Sequence, residues 1–340
     1  MRASRAPGGM AMNAGGRLRI VHTESSCGWG GQEMRVLDEA EGLRARGHDV
    51  RIACPGEARI FIEARGRGIP AEALPIARKS LRGLLALRAW LRSTAPDVIN
   101  THSSTDSWLV ALGQRAVPVV RTRHISAPIR RNRATRWLYR SAAHVVSTGE
   151  ALRAEIIQAA GLAPGSVTSV PTGVDLARFV PGDRAASRAA LGLPADGPLV
   201  GIVATLRSWK GHSFLVDAIA RLPDPRVRLA IVGHGPGWGP LHEQVAALGI
   251  EDRVIFAGQQ ADVVPWLQAF DLFVLPSWAN EGVPQAIQQA MACGLPVVTT
   301  AVGAIGEIVT DAETGVFVPG KDSAAIAGAL TRLLADADAR

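Results

Sequence analysis

The feature that most constrains this chain is a repeating order of segments. Short apolar runs recur along it, each followed by a stretch with helical spacing. "LRIVHT" (18–23) is the first run, and a glycine-rich loop leads from it into a helix over about 32–46, closed by Gly47. "DVRIAC", the amphipathic helix "KSLRGLLALRAWLRS" (79–93), "DVINTH", "VPVVRTRH" and "AAHVVSTGEALRAEII" continue the alternation. Strands separated by helices of this length predict a parallel sheet covered by helices on both faces. The stretch 170–198, "VPTGVDLARFVPGDRAASRAALGLPADGP", interrupts the order and reads as an inter-domain region. The alternation then restarts with "LVGIVATL", "RVRLAIVGHG", "RVIFAG", "DLFVLPS" and "LPVVTT". The expectation is an α/β chain of two doubly wound domains, 17–180 and 181–340, facing a central cleft. Ligands bind such sheets beyond the carboxyl ends of the strands.

Composition narrows the setting. Aromatic residues make up only 5% of the chain, so its core must come from Ala, Leu, Val and Ile. Cys27, Cys54 and Cys293 are odd in number and far apart, which excludes a disulfide framework and points to the reducing cytoplasm. No apolar run reaches the length of a membrane span. Residues 1–16 lack the apolar centre of a signal peptide and read as a disordered leader or a misassigned start. Charge is split: residues 1–180 carry 26 Lys+Arg against 14 Asp+Glu, residues 181–340 carry 11 against 16. All but Lys79, Lys210 and Lys321 of the basic residues are arginines. A basic half suits nucleic acid, an anionic membrane or a phosphorylated substrate, and also a merely solvated surface.

Several stretches sit where chemistry is expected. In "SSCGWGGQE" (25–33), Gly30 and Gly31 let the backbone approach an anion at a helix start, with Glu33 expected to face away. The loop is not GxGxxG, so a dinucleotide fingerprint is poor. In "ATLRSWKGH" (204–212), Arg207 and Lys210 follow a strand, and two cations there suit a diphosphate leaving group. In "EGVPQAIQQAMACGLPVV" (281–298), Glu281 is expected just before a helix, near the amides of Gly282 and Val283 with Pro284 in the first turn. Gln289 would then lie about 12 Å further along a regular helix. His102 and His124 each follow a strand of the first domain and are candidates for the cleft. Asp336 and Asp338 form a D-x-D at the end of a polar helix and are not read as metal ligands.

Taken together, "GWGGQE", "GLRARGHDV", "VPTGVDLARF", "WKGH", "VGHGP" and "EGVPQAIQQAMACGLPVVTT" resemble, in order, the GT-B-fold retaining glycosyltransferases of family 4. That group includes many bacterial lipopolysaccharide and polysaccharide enzymes, and the resemblance runs from about Arg17 to the end of the chain. It implies two Rossmann-like domains, a nucleotide-sugar donor, a glycolipid or polysaccharide acceptor, retention of anomeric configuration and no metal or other cofactor. By this resemblance Gly30 and Gly31 lie against the donor diphosphate, Lys210 stabilises the leaving nucleotide, Glu281 holds the sugar hydroxyls and His124 sits near the reacting centre. The family has Gly-Arg where this chain has Ala204-Thr205, and Arg207 is the expected substitute. The family's second Glu is Gln289 here, at the position that meets the ribose hydroxyls. An amide still accepts one hydroxyl proton and donates to another. The resemblance also implies a final helix crossing back to the first domain, which a chain ending at Arg340 is expected to lack.

Two other classes stay open at this stage: a nucleotide-sugar epimerase on the same fold, and a non-catalytic nucleotide-sugar-binding protein. No nucleic-acid partner is expected. The basic stretch "IRRNRATRWLYRS" is the better membrane candidate, with Arg130, Arg131, Arg133 and Arg136 on lipid phosphates and Trp137 or Tyr139 at the headgroups. A peripheral position on the cytoplasmic membrane follows from it. The face of Leu84, Leu87 and Leu91 is read as core.

Overall fold

The computed structural model describes residues 16–124 and 127–336, so the leader and Asp338 lie outside the described residues. The chain forms two compact units: of the described residues, 16–124, 129–147 and 155–168 belong to the first, and 127–128, 148–154 and 169–336 to the second.

The first unit holds β1 (Arg19–Thr23), β2 (Asp49–Cys54), β3 (Ala71–Ala73), β4 (Val98–Thr101), β5 (Val119–Arg123), β6 (His144–Ser147) and β7 (Val167–Ser169), in the order β3-β2-β1-β4-β5-β6-β7. From β3 to β6 every pairing is parallel. Successive strand residues point to opposite faces, and the packing follows that rule. Ile20 and Ile52 join Val36, Leu37 and Ile60 in one core, while their neighbours Val21 and Ala53 join Leu87, Leu91, Leu109 and Val110 in another. Each such buried Leu, Ile or Val contributes about 1.5–3 kcal/mol. Helices therefore cover both faces, as the alternation requires. In the helix Leu81–Thr94, capped by Ser80 on the amide of Gly83, Leu87 and Leu91 are buried and Leu84 packs against the same core.

The second unit holds β8 (Leu199–Val203), β9 (Arg228–Val232), β10 (Val254–Gly258), β11 (Leu272–Leu275), β12 (Val297–Thr299) and β13 (Val316–Phe317), in the order β10-β9-β8-β11-β12-β13, all parallel. Leu229–Val232 and Leu272–Leu275 are uninterrupted apolar runs buried along their whole length, the pattern of strands covered on both sides. Much of the stretch read as inter-domain packs into this unit. Phe179 is buried in its core, and Arg188 donates to the Ala269 carbonyl and pairs with Asp271 at 2.6 Å.

In each sheet the first strand lies between its successor and a later strand: β1 between β2 and β4, β8 between β9 and β11. Crossovers leave on opposite sides of that point, so the loops after the two central strands diverge and open a crevice.

Candidate active site

In the second unit the loops after β8 and β11 carry Lys210 and Glu281. Lys210 Nζ and Glu281 Oε1 are 2.6 Å apart, with side chains 21% and 5% exposed. Lys210 ends a single 3₁₀ turn, Ser208–Lys210, before the helix His212–Arg221. Gly211 joins them in the left-handed region (φ 78°), and a Cβ there would stand 2.1 Å from the Pro276 carbonyl, so only glycine brings the two loops this close. Trp278 ties them further: its amide donates to the Trp209 carbonyl at 2.9 Å and its Nε1 to the Ser208 carbonyl at 3.0 Å. Asn280, also left-handed (φ 58°), turns the chain into Glu281. A Cβ on Gly303 (φ 65°) would meet the Glu281 carbonyl at 2.0 Å.

Glu281 does not sit at a helix start as the sequence suggested. The helix runs Gln285–Ala292 with Pro284 as its N-cap, and Glu281, Gly282 and Val283 precede it. Proline disfavours helical backbone in the residue before it, which holds Val283 outside the helix. Gly282 and Val283 are thus not first-turn donors, and the pair with Lys210 holds the carboxylate. Gln289 is half-buried inside the helix. Arg207 is exposed, its guanidinium 5.5 Å from the Trp209 ring centroid. His212, two residues from Lys210, is buried, and burial pushes its pKa down to about 3.

The first unit places a different set at the same topological position. Asp106 caps the helix Ser104–Gly113 through a capping box with Ser103, accepting from the amides of His102 and Ser103 and from the Thr23 hydroxyl. Glu24, the first residue after β1, is fully buried; it accepts from the Ser26 amide, the Ser103 hydroxyl and the Gln32 amide group. Burial, then the charge of Asp106, raises its pKa to about 8, and burial raises Asp106 to about 6. Three histidines follow: His22 Nδ1 lies 2.8 Å from His102 Nε2, and His102 Nδ1 lies 2.9 Å from His124 Nε2. Burial pushes His22 down to about 4, His124 to about 3, and His102 well below the usual imidazole range. His102 and His124 were legible as strand-end residues. Glu24 and His22 were not singled out, although a carboxylate directly after an apolar strand, in "IVHTES", was a visible signal.

Gly30 and Gly31 open the helix Gly31–Ala45, as expected. Glu33, expected to face away, is instead 5% exposed, with its carboxylate folded back on the loop 3.8 Å from where a Gly30 Cβ would stand. In the basic stretch, Arg130, Arg131, Arg133 and Arg136 are all exposed. Tyr139 is buried beneath the Arg121 guanidinium and offers nothing to a headgroup, because it falls on the core face of the helix Arg133–Arg140. Trp137 is 38% exposed and stacks on Trp108. Asp336 caps the last helix.

Residues 29–178 match a family model described as Glycosyltransferase Family 4, and residues 197–336 match Glycosyl transferases group 1. The D-inositol 3-phosphate glycosyltransferase of Stackebrandtia nassauensis is 38% identical over 190 residues, 52% of this chain, and the match spans 43% of that protein. The one from Mycolicibacterium vanbaalenii is 30% identical over 353 residues, 90% of this chain and 78% of that protein. Among solved structures, Anabaena Alr3699/HepE in complex with UDP aligns with a TM-score of 0.82 at 26% identity, covering 95% of this chain and 91% of that one. Two parallel-sheet Rossmann-like domains with these structural neighbours define the GT-B glycosyltransferases. The chain belongs to the family 4 glycosyltransferases.

Proposed function

We propose that this protein moves a sugar from a nucleoside-diphosphate sugar to a hydroxyl of a phosphate-bearing acceptor, with retention at the anomeric carbon and without a bound metal. The observation that carries the reading is the Lys210–Glu281 pair at the switch point of the second sheet. Lys210 and Arg207 are cations suited to the charge that grows on the diphosphate as the bond from its oxygen to the anomeric carbon breaks. Glu281 accepts hydrogen bonds from the sugar hydroxyls, and Gln289 serves the ribose. The acceptor oxygen bonds to the anomeric carbon on the face being vacated, and its proton passes to the departing phosphate oxygen. His124 works on the acceptor side.

The donor class is supported by the UDP complex of the structural neighbour, and the acceptor class by the D-inositol 3-phosphate named in the relatives. The four exposed arginines of 130–136 suit a phosphorylated acceptor, whether a soluble polyol phosphate or the glycolipid and polysaccharide acceptors expected from the sequence. On a glycolipid they would also hold the protein to the anionic cytoplasmic surface.

The test is a panel of nucleotide sugars with inositol phosphate or phosphorylated glycolipid, in excess chelator, with the product's anomeric configuration read by NMR. Transfer with retention is expected. An inverted product, or an absolute need for Mg²⁺ or Mn²⁺, overturns those parts of the reading. Conversion of the donor to a different sugar without acceptor makes the protein an epimerase.

A further inference from the structure

Between the helices Ser104–Gly113 and Arg133–Arg140, the first unit holds a cavity of about 620 Å³. Buried Thr101, Ser107 and Arg121 line its inner end. Exposed Arg115, on the loop entering β5, and exposed Ser141 and Ala143, on the turn entering β6, line its mouth. Those connections lie at the amino edge of the parallel sheet, whereas substrates of such sheets bind beyond the carboxyl ends. None of Lys210, Arg207, Glu281, Gln289, His124 or the arginines of 130–136 lines the cavity. Arg121 is charged at any physiological pH. Its Nε and Nη1 are buried and make no hydrogen bond. Tyr139 gives the guanidinium a ring face at 4.4 Å and a hydroxyl close by, but neither accepts from Nε or Nη1. Asp106 is near enough to favour the charged guanidinium, yet its oxygens accept from the Thr23 hydroxyl and the amides of His102 and Ser103, and it forms no ion pair with Arg121. A buried charge with unfilled donors is unfavourable, and folded proteins leave few of them.

We propose that this cavity is a binding site for a small soluble phosphate monoester, held by Arg121 at the inner end and Arg115 at the mouth. Two guanidiniums, neither in an ion pair among the described residues, match the charge of a dianion, and the guanidinium fork is shaped for phosphate oxygens. The volume lies within the range of small-molecule sites, about 300–1,000 Å³, and is too large for a bare ion. Val119, Leu138 and Trp137 supply an apolar wall for the body of the ligand. Ser107 donates to the Thr101 hydroxyl at 3.0 Å, which leaves the proton of that hydroxyl for a ligand oxygen. The phosphate thus brings the acceptors that the protein itself withholds from Arg121.

Calorimetry on the full chain tests the site with glucose 6-phosphate, glucose, gluconate and inorganic phosphate as probes. Glucose 6-phosphate should bind, and each of the others about tenfold or more weakly, the loss of at least one charge-assisted hydrogen bond or of the apolar contacts. Arg121→Met keeps the stem of the side chain and should weaken glucose 6-phosphate by about tenfold or more, and Arg115→Gln by about threefold. Tm of Arg121→Met should hold or rise, because an unpaired buried charge is gone. A lower Tm with binding intact would make Arg121 a structural residue and overturn the proposal. Ala111→Phe fills the cavity with Arg121 in place and should abolish binding; it decides the matter if Arg121→Met does not fold, and surface Arg115→Gln decides it if neither does. Replacing the four arginines of 130–136 with glutamine should leave the affinity as it was. Loss of binding there with Arg121→Met unaffected would put the phosphate on those arginines and empty the cavity of its role. Equal binding of inorganic phosphate would mean an adventitious ion only, equal binding of gluconate would overturn the phosphate assignment, and no heat from any probe would leave the cavity to water.

Discussion

The two sheets place charged and titratable side chains at the same topological point and treat charge in opposite ways. After β8 and β11, a lysine and a glutamate stand 2.6 Å apart as an ion pair. Around the ends of β1, β4 and β5, Glu24, Asp106, His22 and His102 are buried and His124 is half-buried, and loss of water pushes the carboxyls up and the imidazoles down, toward their neutral forms. Strand-end position does not dictate electrostatics. Lys210 and Glu281 face a partner of opposite sign, whereas in the first unit burial pushes the carboxyls up and the imidazoles down, with the charge of Asp106 adding to the shift of Glu24.

The sharpest way to break this contrast is to remove one half of the pair. Lys210→Ala and Glu281→Ala should each lower kcat/KM by about two to three orders of magnitude. Each should also destabilise the fold by about 3–5 kcal/mol, because the remaining charge is buried without its partner. The double variant should recover much of the stability, read by chemical denaturation, and none of the activity. Full activity in any of the three would remove the site assignment.

The neutral cluster makes a pH prediction. Between their folded values, near 3 to 4, and the unfolded 6.5, His22, His124 and the likewise depressed His212 bind fewer protons folded than unfolded, so stability rises with pH toward 6.5. Glu24 does the reverse between the unfolded 4.5 and the folded 8, binding more protons when folded, so its contribution is lost as pH rises through that window. Asp106 acts in the same direction up to about 6. Each proton of difference is worth about 1.4 kcal/mol per pH unit. Tm should therefore peak near pH 6.5 and fall toward 8, and Glu24→Gln should flatten the alkaline side alone. An unchanged alkaline slope in that variant would place the titrating group elsewhere.

Replacing Arg130, Arg131, Arg133 and Arg136 with glutamine tests the exposed charge that neither cluster uses. Binding to anionic vesicles should be lost, at about 1 kcal/mol per arginine, and nucleotide affinity by calorimetry should stay as it was. Retained sedimentation with anionic vesicles would leave the arginines merely solvated. The smallest expected effect is on folding in Gly30→Ala. Gly30 is extended (φ −177°) and a Cβ has only Glu33 Oε2 nearby, at 3.8 Å, so Tm should not move. A drop in donor affinity with Tm unchanged would show that a ligand approaches that backbone; unchanged affinity would remove Gly30 from the donor contacts.

Much of this was legible in the sequence because it is local. Alternating apolar runs and helical spacing set two parallel sheets, since a strand, a covering helix and a right-handed return are decided within some thirty residues. Lys210, Glu281, His102 and His124 were legible for the same reason: each follows an apolar run by a few positions. The sequence could not show partners far apart along the chain. It put Glu281 on a helix start, whereas Pro284 shifts that start and the carboxylate finds Lys210, 71 residues away. It turned Glu33 away from a loop on which it folds back, and it left Tyr139 at a surface when that residue is core. It passed over His22, an ordinary strand residue until β1, β4 and β5 lie side by side and three rings meet. Periodicity determines which residues are buried; only the assembled sheet decides which buried groups touch, and contact settles whether a buried group keeps its charge.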